Sequence, residues 1–160
     1  MRDPRDVAVS FYHHNVKAGN TPDSHPMEQF TAGFIAAEFD PKWGSWSDHV
    51  VSWLTLRRDR PGFVLLRYED MKRDPAREPA RLAAFLQNCG FGNIESTPEK
   101  LEHAIDLSSP ERMRELEKKQ GRGWVLTKHT RADKLCIRTA TAGGSKTSLS
   151  PPSVAMMESA

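Results

Sequence analysis

Apolar positions along this chain recur mostly at the three- and four-residue spacing of helix faces. Val7, Phe11 and Val16 lie on one such face, behind an Asp3-Pro4 start. There Asp3 is expected to cap, Pro4 suits the first helical position, and Asp6 closes a box-like arrangement. Gly19-Asn20, with Pro22 beyond, stops this helix. A second helix is predicted from about Met27 to Phe39, carrying Phe30 and Phe34. Ser45 and Asp48 have the Ser-x-x-Asp spacing of a capped start, and Trp46, Val50, Trp53 and Leu54 form an apolar stripe behind it. That helix runs to Arg57-Arg58-Asp59-Arg60 and the turn signal Pro61-Gly62.

Phe63-Val64-Leu65-Leu66 breaks the helical period. An apolar run without polar alternation is how a strand buried on both faces of a parallel sheet reads, and a strand is predicted over 63–68, with Tyr68 at its carboxyl end. Leu82, Phe85, Leu86 and Cys89 predict a helix that starts nearer Glu78 than Asp74, because an interior Pro79 would remove a backbone donor. Thr97-Pro98 and Ser109-Pro110 open two more, the second carrying Met113 and Leu116. The pattern weakens from Gly121, and Pro151-Pro152 precedes a last short helix. The helices read as the covering of a parallel sheet, yet one strand cannot make a sheet. The expectation is an α/β fold, helix-rich with few parallel strands, of which this chain is one piece.

At 160 residues the chain is one modest domain or part of a larger one. Its 28% of charged residues is ordinary and argues against wholesale disorder. No apolar run approaches the ~20 residues needed to span a bilayer. Met1-Arg2-Asp3-Pro4 carries no apolar signal region, so a soluble, cytoplasmic protein is expected, with no membrane partner. Twenty-three basic against 21 acidic residues give +2, too even for nucleic-acid binding by bulk charge. Cys89 and Cys136 stand far apart and fit a reducing compartment. Neither Cys-x-x-Cys nor His-Glu-x-x-His spacing occurs, so no metal is expected.

The candidate chemistry lies at the first helix. Its amino terminus presents unpaired N–H groups and a positive dipole end, a ready anion site. Arg2, just ahead of the cap, adds a forked donor suited to phosphate, and Ser10 lies two turns further on. Near the other end, the Gly143-Gly144 pair suits a backbone that hugs an anion.

Three patches resemble, in order and spacing, one family: the sulfotransferases that use 3′-phosphoadenosine 5′-phosphosulfate (PAPS). Arg2-Asp3-Pro4-Arg5-Asp6-Val7-Ala8-Val9-Ser10-Phe11-Tyr12-His13-His14 resembles their 3′-phosphate-binding segment. Gly44-Ser45-Trp46-Ser47-Asp48-His49-Val50, then Trp53, resembles their Gly-Ser-Trp…His-Val helix. Leu65-Leu66-Arg67-Tyr68-Glu69-Asp70-Met71-Lys72 is similar to their Tyr-Glu-Asp-Met-Lys strand and turn. The resemblance implies a three-layer α/β fold related to P-loop nucleoside triphosphate hydrolases, PAPS as co-substrate, adenosine 3′,5′-bisphosphate as product, and a small-molecule acceptor with a hydroxyl or amine. It implies that Arg2 and Ser10 hold the 3′-phosphate and that Tyr68 meets the adenine.

Ser108-Ser109-Pro110 matches the family's adenine-contacting Thr/Ser-Ser-Phe segment, with Pro110 in place of the stacking phenylalanine. Arg138-Thr139-Ala140…Gly143-Gly144-Ser145-Lys146 fits the family's Arg-Lys-Gly…Gly-x-Trp-Lys loop over the 3′-phosphate. Arg138, Gly143, Gly144 and Lys146 are retained there, whereas Thr139 stands for the lysine and Ser145 for the tryptophan.

Two family elements are missing from these residues: the Pro-Lys-x-Gly-Thr-Thr-Trp loop that cradles the 5′-phosphosulfate, and the histidine that serves as general base. No catalytic residue is therefore expected in this chain. His49 is expected to line the acceptor pocket, His13 and His14 to point different ways, and His25, His103 and His129 to form no constellation. The expected organisation is a single partial domain over 1–160, with a 3′-phosphate helix in 1–20 and a flexible phosphate loop in 136–152. Such a carboxyl-terminal fragment of a sulfotransferase would be inactive alone. The alternatives are a non-catalytic remnant that binds adenosine 3′,5′-bisphosphate weakly or not at all, and a basic helical interaction module. An uncovered sheet edge at 63–66 would favour homodimers or aggregation.

Overall fold

The computed structural model describes residues 1–39, 44–94 and 96–159, apart from the side chain of Arg122. The described elements are helical: α1 (Pro4–Ala18), α2 (Met27–Ile35), α3 (Trp46–Arg57), α4 (Tyr68–Arg73), α5 (Arg77–Asn88), α6 (Pro98–Leu107), α7 (Pro110–Lys119), a 3₁₀ turn (Gly121–Trp124), α8 (Ser145–Ser148) and α9 (Pro151–Ser159).

Helix α1 is the hub and packs on α2, α8 and α9. Its Asp3 caps by accepting the Arg5 N–H at 2.9 Å, and Gly19 ends it in the left-handed conformation at φ 75°. Asp6 does not close the predicted box. The Asp3 N–H goes instead to Glu69 Oε1 at 2.9 Å, which leaves the Asp6 carboxylate free for a distant partner. Buried Val9, Tyr12, Val16 and Phe30 make most of the small core.

Helix α2 is shorter than its aromatic spacing predicts. Ala37 adopts φ 57°, and the turn folds Phe39 back to stack on Phe30 with centroids 4.2 Å apart. Gly33 permits this, since a Cβ there would sit 3.1 Å from Phe39 Cζ. Phe39 thus joins the aromatic cluster from outside the helix. The Ser45–Asp48 box at α3 forms as read, with Ser45 Oγ accepting the Asp48 N–H at 3.0 Å and Asp48 accepting the Ser45 N–H at 3.2 Å. Pro79 falls in the first turn of α5, where its missing N–H costs nothing.

The predicted strand requires correction. Among the described residues no strand forms, and the fold seen here is all-helical in place of an α/β layer arrangement with parallel strands. Residues 63–67 form no helix or strand, only Arg67 being extended as the α4 cap, and Tyr68 begins α4 at the position the expected strand would end. One rung of parallel pairing survives. The Met1 ammonium donates to the Leu66 carbonyl at 2.5 Å, and the Tyr68 N–H donates to the Met1 carbonyl at 2.8 Å. A ladder needs further residues beside this segment, and the described chain supplies only Met1 there. Phe63 to Leu66 are nevertheless half-buried, and Phe63, Val64 and Leu65 share a hollow with residues of α3. More apolar surface is uncovered on α3 than on this segment, at Val51, Trp53 and Leu56.

Candidate anion-binding site

One face of α1 carries Asp6, Val9, Ser10 and His13, spaced by the helical repeat, and these four, with Arg2 just ahead of the Asp3 cap, line a cavity of about 240 Å³. Tyr68, the Leu135–Ala140 stretch and Gly144 complete its walls. Arg2 is fixed from three sides. Its guanidinium lies 4.4 Å over the Tyr68 ring, its Nη2 donates to the Thr141 carbonyl at 3.1 Å, and the same nitrogen stands 3.5 Å from Asp6. Its Nε is buried and has no hydrogen-bond partner. The Arg2 residue also lines the cavity, where its guanidinium charge suits an anion.

Asp6 binds the late bend to α1. Its carboxylate, 2% exposed as a residue, accepts the Gly143 N–H at 2.6 Å and the Ser145 N–H at 2.8 Å. Burial pushes this carboxyl up, but hydrogen bonds from Ser145 and Gly143, with the Arg2 charge, outweigh it and hold it below the ordinary range. Gly143 adopts φ 77° at the bend. Ser145, where the family pattern has a tryptophan, is buried and opens α8.

Arg138 reaches the cavity on a stretch held by α7. Glu117 accepts the Cys136 N–H at 2.7 and 2.9 Å and the Ile137 N–H at 3.3 Å. Arg114 donates to the Ile137 carbonyl at 3.1 Å and to the Arg138 carbonyl at 2.7 Å. Lys17 stands 3.4 Å from Glu117, with both side chains buried, and donates to the Lys134 carbonyl. Burial raises the Glu117 carboxyl, but the backbone donors and Lys17 bring it below its usual value. Burial, with the nearby Glu117 charge, pushes the Cys136 thiol up.

Of the residues singled out in the sequence, Arg2, Ser10, Tyr68, Arg138 and Gly144 meet at the cavity, with Gly143 at its supporting bend. Tyr68 supports Arg2 through its ring face. Ser108 and Ser109 sit at the junction of α6 and α7, where the Ser108 hydroxyl donates to the Ala104 carbonyl at 2.7 Å. Neither is among the lining residues, and nor is Lys146. His49 is exposed and lines two apolar hollows, one with Phe34, Phe39 and Trp46, the other with Trp53 and Phe63. Sequence reasoning missed Asp6, His13, Arg114 and Glu117. The first two carried a signal, the helical stripe from Arg2; the α7 pair carried none.

A sulfotransferase-domain pattern matches residues 1–155. Sulfotransferase 1B1 of Canis lupus familiaris is 37% identical over 86 residues, which make up 54% of this chain and 28% of that protein. Human sulfotransferase 2B1 is 35% identical over 85 residues, 53% of this chain and 22% of that protein. The mouse sulfotransferase SULT7A1, solved with PAP, superposes with a TM-score of 0.77 at 24% identity over 99% of this chain and 54% of its own. Retinol dehydratase, in complex with androsterone and the inactive cofactor PAP, gives 0.78 at 22% identity over 99% of this chain and 44% of its own. At that identity the two structures speak for the fold. The chain thus spans about half the length of these solved relatives, and its matched stretch covers under a third of the curated ones.

Proposed function

Because the chain belongs to the sulfotransferase domain family, we propose that it carries the 3′-phosphate-binding part of a PAPS-dependent sulfotransferase. The observation behind this reading is that Arg2, Ser10 and Arg138, far apart in the sequence, line one cavity. Arg2 and Arg138 would supply the charge for the 3′-phosphate, Ser10 a hydroxyl, and Gly144 a close-approaching backbone. The residues present fit that end of the nucleotide. PAPS, when bound, supplies the activated sulfuryl group for a hydroxyl or amine acceptor.

The chain's own residues bind and orient at the distal phosphate, and none of them is assigned to the sulfur. The apolar hollow beside His49 would receive the acceptor. Sulfuryl transfer demands alignment of donor and acceptor and stabilisation of charge on the leaving oxygen. Residues 1–160 hold no Pro-Lys-x-Gly-Thr-Thr-Trp loop to meet the second demand, so turnover by this chain alone is expected to stay at background.

The departures favour a second reading, a remnant that binds adenosine 3′,5′-bisphosphate weakly. Thr139 removes a cation from the loop, Ala140 takes a left-handed φ of 54° where the family pattern has glycine, and Ser108 and Ser109 lie off the cavity. Titration calorimetry with adenosine 3′,5′-bisphosphate and with adenosine 5′-monophosphate tests the site. Tighter binding of the bisphosphate, lost in Arg2→Ala, is the expected result. Equal affinity for both nucleotides, or an Arg2→Ala variant that binds like the parent, would overturn the assignment.

A further inference from the structure

His13 lies one turn beyond Ser10 on the cavity-facing side of α1, and it lines the same cavity as Arg2 and Arg138. It is half-buried, its ring set edge-on to Tyr12 with centroids 5.2 Å apart. Around it, from α1 come Asp6 and the neighbouring, exposed His14, and from the residue ahead of its cap comes Arg2. The turn after α1 brings Asp23, the 134–138 stretch brings Lys134, Cys136 and Arg138, and α4 brings Tyr68.

The two acids near His13, Asp6 and Asp23, are engaged elsewhere. Asp6 serves Gly143, Ser145 and Arg2. Asp23 forms ion pairs with Arg131 and with Lys134, the latter at 3.0 Å. What His13 meets across the cavity is therefore net positive. Burial, then Arg138 and Lys134, hold its imidazole below the ordinary histidine range. The ring is thus mainly neutral near pH 7 while the cavity holds no anion.

We propose that His13 is a further anion-binding residue of this cavity, taking up a proton from solvent when a phosphate monoester dianion enters. The dianion cancels the charge of Arg2 and Arg138, so the electrostatic share of what keeps the ring neutral is removed and an anionic partner set against the burial cost. The protonated ring then donates a third charge-assisted hydrogen bond. The His13 contribution to binding a phosphate monoester dianion therefore grows as pH falls, against the phosphate's own protonation, which weakens binding. This proposal rests on the nucleotide reading above.

The experiment compares wild type with His13→Gln, which keeps a polar side chain of similar reach but cannot titrate. Adenosine 3′,5′-bisphosphate is titrated by calorimetry at several pH values from 5.5 to 8, in buffers of differing ionisation enthalpy. The wild-type-to-variant affinity ratio is expected to grow toward low pH, by about tenfold for each unit by which bound phosphate raises the imidazole pKa. Proton uptake on binding should be greater for the wild type. Direct titration of the His13 ring by NMR, with and without nucleotide, gives an independent reading that needs no variant. Binding with the same pH dependence in both proteins, or a ring pKa unmoved by nucleotide, overturns the role of His13 alone. Absence of bisphosphate binding by the wild type overturns the nucleotide reading and this proposal with it.

Discussion

Asp6 receives the backbone N–H of Gly143 at 2.6 Å across a sequence separation of 137 residues. This bond, with its companion from Ser145, fastens the late Gly-Gly bend to the first turn of α1 and holds Arg2 between them. The anion cavity therefore depends on a contact between the two ends of the chain.

Asp6→Ala should leave two poorly solvated N–H groups and one arginine without their acceptor, at a cost of about 3 kcal/mol in urea unfolding. The pH dependence follows from the lowered folded-state value. The stabilisation is fully present above the unfolded carboxyl value near 4 and is lost as pH falls through the folded one. Acid unfolding followed by circular dichroism should thus flatten below pH 4 in Asp6→Asn relative to wild type. Parallel acid curves would show that the carboxylate contributes no such stability.

Gly19 has φ 75°, and a Cβ there would stand 2.4 Å from the His129 carbonyl oxygen. Thr127 fixes that neighbour by donating its hydroxyl to the Ala18 carbonyl at 2.5 Å, and the Arg131 N–H donates to the Lys17 carbonyl at 2.8 Å. The loop cannot retreat without breaking these bonds. Gly19→Ala should cost at least about 2 kcal/mol, read as a lower thermal midpoint. A midpoint within a degree of the parent would show that the loop yields.

Most helix starts were legible because each is written locally. Asp3-Pro4, Ser45 with Asp48, and Thr97-Pro98 carry their caps within four residues. What was not legible is non-local. The reading of 63–68 as a strand rested on an apolar run, but a strand forms only where a partner lies beside it, and here the partner is Met1 alone. Aromatic spacing puts Phe39 on α2, whereas a left-handed Ala37 carries it back onto Phe30. Within the cavity, Arg2 and Arg138 were legible through the family pattern. Glu117 looks in sequence like any acid on a charged helix, and only its backbone partners reveal what it does.

Ala140 lies in the cavity wall with φ 54°, a region that an alanine occupies at a cost of about 1 kcal/mol. Ala140→Gly removes that strain and loosens the unfolded chain, two effects of opposite sign. Relief of strain is the larger where φ is positive, so the variant should be more stable by up to about 1 kcal/mol, measured by denaturant midpoint at constant slope. A destabilised variant would mean that the Ala140 methyl contributes packing that outweighs the backbone.

Glu117 offers the sharpest separation of binding from folding. Glu117→Ala leaves Lys17 buried without its carboxylate and frees the Cys136 and Ile137 N–H groups, a loss of about 3 kcal/mol. The double variant Lys17→Met/Glu117→Leu removes both charges and should recover much of that stability, because an apolar pair avoids the burial penalty. It cannot recover the grip on the 136–137 backbone. If that grip places Arg138, the double variant should fold well and still bind adenosine 3′,5′-bisphosphate more weakly, while adenosine 5′-monophosphate is unaffected. Restored stability together with wild-type bisphosphate affinity would show that Arg114 alone suffices to hold the stretch through the Ile137 and Arg138 carbonyls.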